Sequence, residues 1–164
     1  MIVHQVHWTD PGAAALREAQ RVELEARYGR PDSEPGPAPN AADITAFFVA
    51  YDDCDQPIGC GGLRQIPGNE AEVKRMFVAP SHRGTGVSRA ILLELERFGR
   101  GRAWSRLVLE TGDRQPDAVR FYEREGFIRI PNFAYYTESE HSLCYEKPLF
   151  ATDPGGDIDC EGCQ

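Results

Sequence analysis

Nothing in this chain approaches the ~18 consecutive apolar residues that a membrane-spanning helix needs, and no basic-then-apolar stretch opens it. A cytoplasmic location is therefore expected, without a membrane partner. Positive charge is also scarce, with 18 Lys and Arg against 26 Asp and Glu and a net charge of −8. Nucleic-acid binders normally carry a basic face, so none is expected as partner. The acidic balance fits a cationic acceptor such as an amine, although only loosely. The five cysteines are an odd number without a secretory segment, which argues against a disulfide framework. Cys160 and Cys163 have metal-ligand spacing but no accompanying second pair. Cys144 reads as a small buried thiol rather than a nucleophile. The histidines (His4, His7, His82, His141) show neither ligand nor triad spacing, so no metal is expected.

The 164 residues present suffice for one domain with its own core. We expect a single domain over 1–150 and an acidic, flexible tail over 151–164. Ile2 to Trp8 alternates like a strand, and Asp10-Pro11 opens a helix that Gly29 stops after Tyr28. Arg30 to Asn40 is a loop. Strands follow at Ile44–Tyr51, Pro57–Gln65 and Glu70–Val78, joined by turns at Asp52–Gln56 and Ile66–Asn69. A helix from Gly86 to about Phe98 carries Val87, Ile91, Leu95 and Phe98 on one face, with a stop at Gly99 or Gly101. Arg106–Thr111 reads as a strand, Pro116 opens another helix ending at Gly126, and Phe127–Phe133 and Ser142–Lys147 close the chain as strands. The pattern is mixed α/β without internal repeats.

The most specific segment is Ser81-His82-Arg83-Gly84-Thr85-Gly86-Val87-Ser88-Arg89, between a strand and a helix. Glycines there permit a tight turn and leave the first helical N–H groups free, where the helix dipole favours a phosphate. Arg83 and Arg89 add positive charge beside it. The Lys-Ser/Thr of a Walker loop is absent, and Arg89 stands where a dinucleotide fingerprint needs a third small residue.

With the preceding Glu72-Val73-Lys74-Arg75-Met76-Phe77-Val78-Ala79-Pro80 and the later Ala118-Val119-Arg120-Phe121-Tyr122-Glu123-Arg124-Glu125-Gly126-Phe127, this loop resembles the GNAT superfamily of N-acetyltransferases. The resemblance runs from about Ile58 to Lys147, with Ser88 departing from the usual Gly or Ala. It implies a mixed, mostly antiparallel central sheet flanked by helices, the GNAT-like acyl-CoA N-acyltransferase fold. It also implies acetyl-CoA as cosubstrate, lying between the strands Glu72–Val78 and Arg106–Thr111. The main chain of Met76, Phe77 and Val78 would meet the pantetheine, with Met76 and Val78 pairing like an added strand. The amides of Arg83, Gly84, Thr85, Gly86, Val87, Ser88 and Arg89 would hold the pyrophosphate, and Gln115 would lie near the cofactor.

By the same resemblance Tyr122 is the candidate general acid for the departing thiolate, the alternative being simple packing beside Phe121. Glu72 matches a family general-base position, with Glu110 on the neighbouring strand as runner-up. Glu72 could instead pair with Lys74, which shares its face by strand alternation, and a water chain could relay the proton. Phe133, Tyr135 and Tyr136 read as a cap on the sheet, with an acceptor-pocket wall as the alternative. Glu138 and Glu140 could assist such a wall. The function expected is acetyl transfer from acetyl-CoA to a primary amine of a small molecule, by direct attack in a ternary complex. A protein lysine or N-terminal acetyltransferase and a non-catalytic acyl-CoA sensor are the rivals. The resemblance also makes a homodimer an expected partner state.

Overall fold

The computed structural model describes residues 1–30 and 34–151, and the expected tail with Cys160 and Cys163 lies outside them. Its strands are β1 (Ile2–Val6), β2 (Ala46–Tyr51), β3 (Pro57–Ile66), β4 (Glu70–Val78), β5 (Arg106–Gly112), β6 (Ile128–Ile130) and β7 (Ser142–Pro148). The helices are α1 (Pro11–Tyr28), α2 (Val87–Gly101) and α3 (Pro116–Arg124). The strands form one sheet in the order β1-β2-β3-β4-β5-β7-β6. Every pairing is antiparallel except β4 with β5. This is the mixed, mostly antiparallel α/β architecture expected from the sequence.

The helices form where local chemistry directs. Asp10 Oδ1 accepts the Ala13 N–H at 3.1 Å, Pro11 opens α1 and Gly29 closes it in the left-handed region at φ 76°. Such a cap satisfies end groups that the helix cannot pair itself. α1 packs Ala13 and Leu16 against Phe47, Val49, Cys60 and Phe77 on one face of the sheet. α2 buries Val87, Ile91, Leu92 and Leu95 against the other face, where α3 adds Tyr122. Phe98 is half-buried on that side, and α2 continues through Gly99 to the second expected stop. The closing strand expected over Phe127–Phe133 is much shorter, at Ile128–Ile130. Pro131 has no N–H for the ladder, and Ala134–Tyr136 turns as a 3-10 segment. Among the described residues no helix is long and apolar enough to cross a membrane.

One irregularity sets up the site. The β3–β4 register passes from Gly62↔Lys74 to Cys60↔Phe77, so β4 holds one extra residue, and Arg75 there has φ 57°. A bulge of this kind bends its strand and shifts the side-chain alternation. Val73 and Met76, three residues apart, therefore share the α2 face, while Phe77 joins the α1 face. Pairing with β5 is confined to Ala71↔Leu107, Glu72↔Val108 and Val73↔Leu109. Beyond Val73 the two central strands part.

Candidate active site

Two hollows occupy the gap between β4 and β5. One is a groove of about 870 Å³ on the α2–α3 side, and the other a cavity of about 180 Å³ bounded by α1, β4, β5 and the segment before β7. Met76, Ala118 and Tyr122 line both, so the hollows meet at these side chains.

The groove ends at the glycine turn. Gly84 and Gly86 have φ of 75° and 90°, and a Cβ on either would meet no atom within 4 Å. Backbone conformation, not space, demands glycine here. No side chain caps the N-terminus of α2, and its first turn carries no acid. The N–H groups of Val87, Ser88 and Arg89 thus begin the helix without intrahelical acceptors, an arrangement suited to an anion. Thr85 braces the turn by donating to His82 O at 2.6 Å rather than lining the groove. Arg83, which does line it, is engaged by Glu23 at 2.6 Å and by the Val78 carbonyl at 3.0 Å. Arg89 lies 3.5 Å from Glu125, its side chain 68% exposed.

The main chain of β4 offers its other edge to the gap. Ala79 N donates to Ile58 O across β3, so by alternation the groups of Val78 and Met76 point away from β3. Side chains reach both carbonyls, Arg83 that of Val78 and Gln20 that of Met76 at 2.9 Å.

The three sequence-derived catalytic candidates have different surroundings. Tyr122 is 6% exposed, and its hydroxyl makes no hydrogen bond among the described residues. Burial raises its pKa, and nearby Glu110 raises it further. Glu110 lines the smaller cavity and accepts a hydrogen bond from Ser142 Oγ at 2.8 Å. Burial pushes its carboxyl above the ordinary value and Glu72 adds to this, while the Ser142 bond and the Lys74 charge oppose it. Glu72, 3% exposed, does not border the cavity. Arg64 holds it at 2.9 Å, Lys74 at 3.3 Å, and the Tyr136 hydroxyl donates to it. The pairing with Lys74 that strand alternation allows is thus present.

Of the expected cofactor residues, Gln115 borders the smaller cavity rather than the groove. Phe77, Val78, Val87 and Ser88 border the groove. Phe133 and Tyr136 pack edge to face at 5.3 Å, Tyr135 is exposed, and none of the three borders either hollow. The acceptor-wall alternative for this cluster is therefore not what the fold builds. Among the lining residues that sequence reasoning did not single out are Arg120 and Arg124 of α3 at the groove, and Gln20 and Tyr28 of α1 at the cavity. Both pairs carried a helical signal, being four and eight residues apart and so close to one face.

Comparison with known proteins agrees with this geometry. The family model described as "Acetyltransferase (GNAT) family" matches residues 8–127. The chain belongs to that family. An IAA acetyltransferase of Azospirillum brasilense is 39% identical over 93 residues, 56% of this chain and 61% of its own length. The match therefore spans less than two thirds of that relative. Among solved structures, one from Klebsiella pneumoniae described as an acyl-CoA N-acyltransferase superposes with a TM-score of 0.78 at 28% identity, covering 91% of this chain and 97% of that one. The PaiA N-acetyltransferase of Thermoplasma acidophilum, solved with coenzyme A, gives a TM-score of 0.65 at 18% identity over 90% of this chain and 99% of its own. These likenesses establish the GNAT acyl-CoA N-acyltransferase fold.

Proposed function

We propose that the protein transfers acetyl from acetyl-CoA to a primary amine of a small molecule, by direct attack in a ternary complex. The observation carrying this reading is the meeting of the two hollows at Tyr122, one ending in an anion-binding turn and the other holding Glu110. The groove's chemistry suits the cosubstrate. Open N–H groups at α2, with Arg89, Arg120 and Arg124 around them, would hold a pyrophosphate. The edge of β4 at Met76 and Val78 would pair with the pantetheine amides. Acetyl-CoA supplies an acyl group activated as a thioester.

Glu110 then takes the proton that an ammonium must lose before nitrogen can attack, directly or through water. The new N–C bond forms as the C–S bond breaks, and the Tyr122 phenol gives its proton to the departing thiolate. Of the two protons left on nitrogen, one restores the phenol and the other stays as the amide N–H. The raised pKa of Tyr122 keeps that proton in place near neutrality, as a general acid requires. Glu72 is committed to Arg64, Lys74 and Tyr136, so we assign the base to Glu110 and an organising role to Glu72. The small cavity and a relative named for acetylating IAA support a small-molecule acceptor.

Thiol release from acetyl-CoA, measured across a broad amine panel, tests the proposal. Amine-dependent release that falls in Tyr122→Phe is expected. Tight acetyl-CoA binding without amine-dependent release would identify a sensor instead.

A further inference from the structure

The smaller cavity carries a second message, in the polar atoms its walls leave unsatisfied. Gln20 Oε1 and Tyr28 Oη are buried and lack a partner among the described residues, and both residues border this cavity. A buried polar atom without a partner loses its hydration for nothing in return, so two on one wall point to a ligand that completes them.

Their chemistry differs. The Gln20 amide nitrogen donates to Met76 O at 2.9 Å, which leaves Oε1 as an acceptor still without a partner. The Glu110 carboxylate, on β5, is a second acceptor bordering the cavity. Together they form a pole for N–H donors. The opposite pole donates. Tyr28 brings its hydroxyl against Gly112, so closely that a Cβ there would stand 2.0 Å away. Gly112 follows Glu110 by two residues on β5, about 7 Å along the strand on the same face. Arg30, exposed just past the end of α1, and Arg75 border this cavity too. No acid among the described residues pairs with Arg30. Glu34, the other acid of the wall, is already engaged by Lys74 and Arg75.

We infer that the acceptor is a small zwitterionic amine, an amino acid or close analogue, whose ammonium meets Gln20 and Glu110 and whose carboxylate meets Tyr28 and Arg30. This rests on the transferase reading above and narrows its substrate. Size agrees, because the cavity is compact, at about 180 Å³.

The test compares free amino acids with their decarboxylated amines and their carboxamides as acceptors in the thiol-release assay. Loss of charge-assisted hydrogen bonds should make kcat/KM about tenfold or more higher for the amino acids. Arg30→Gln and Tyr28→Phe should each lower that preference, chiefly by raising KM for the amino acid. Acetyl-CoA affinity measured by calorimetry should hold steady, which separates the effect from misfolding. Equal or better use of the decarboxylated amines, or a preference for lysine peptides, overturns the inference while leaving the transferase standing. No thiol release with any amine overturns the transferase reading itself, and this inference with it.

Discussion

Replacing Glu110 by Gln tests the proposed chemistry and the electrostatics together. The carboxyl lies in a largely buried wall with one hydroxyl donor, and burial raises its pKa above the ordinary 4.5. A base of this kind contributes about 100-fold or more to rate, so kcat/KM for a productive amine should fall by about that factor. In the native protein the rate should rise with pH along a limb lying above the usual carboxylate range, and in Glu110→Gln that limb should vanish. Stability should move the other way. A raised folded-state pKa gives a contribution fully present below the ordinary carboxyl pKa and lost as pH rises through the folded value. The ionised Glu110 is therefore a burden on stability at neutral and higher pH. Relative to the native protein, the variant should gain stability between pH 4 and pH 8 in denaturant titrations. Glu72→Gln makes the matched control, because it disturbs the Arg64–Lys74–Tyr136 cluster around a residue that does not border the cavity. It should cost stability more than rate per folded molecule. A Glu110→Gln enzyme with native kcat/KM and an intact limb would refute the assignment, and Glu72 would become the base to examine.

Tyr122→Phe should lower kcat about 10- to 100-fold, since a thiolate leaves tolerably unaided, with acetyl-CoA affinity by calorimetry close to native. Gly86→Ala meets no steric obstacle but places a Cβ at φ 90°. It should cost about 1–2 kcal/mol in thermal or chemical unfolding and weaken acetyl-CoA binding, and unchanged binding would count against the anion cradle. Gly112→Ala drives a Cβ into the Tyr28 hydroxyl. Overpacking of this sort costs about 1–3 kcal/mol, and KM should rise for the amine while cosubstrate affinity stays put.

Much of the groove and its glycine turn was legible without coordinates because it is local. A turn needing left-handed backbone calls for Gly84 and Gly86, and helix signals at Asp10, Pro11, Gly29 and Pro116 act within a few residues. The β4 boundaries are those expected from the run Glu70–Val78. The Arg75 bulge was not legible. Nothing in Lys74-Arg75-Met76 marks a left-handed residue, and the kink arises from how β4 registers against β3.

By itself, the sequence determined the order of elements, the glycine turn before α2 and the short set of acids and phenols from which the proposed chemistry is drawn. Each depends on neighbours close along the chain, through periodicity, capping or glycine conformation. The tertiary structure alone decided which acid faces the cavity. Glu72 and Glu110 both sit on central strands, but Arg64 from β3 and Tyr136 from the segment before β7 join the strand neighbour Lys74 around the first. The second meets Ser142 at the cavity wall. Likewise, only the packing of α1 over the sheet brought Gln20 and Tyr28 to the smaller cavity. Burial and partner choice are properties of contacts between distant segments, and those contacts come into being only when the sheet is assembled.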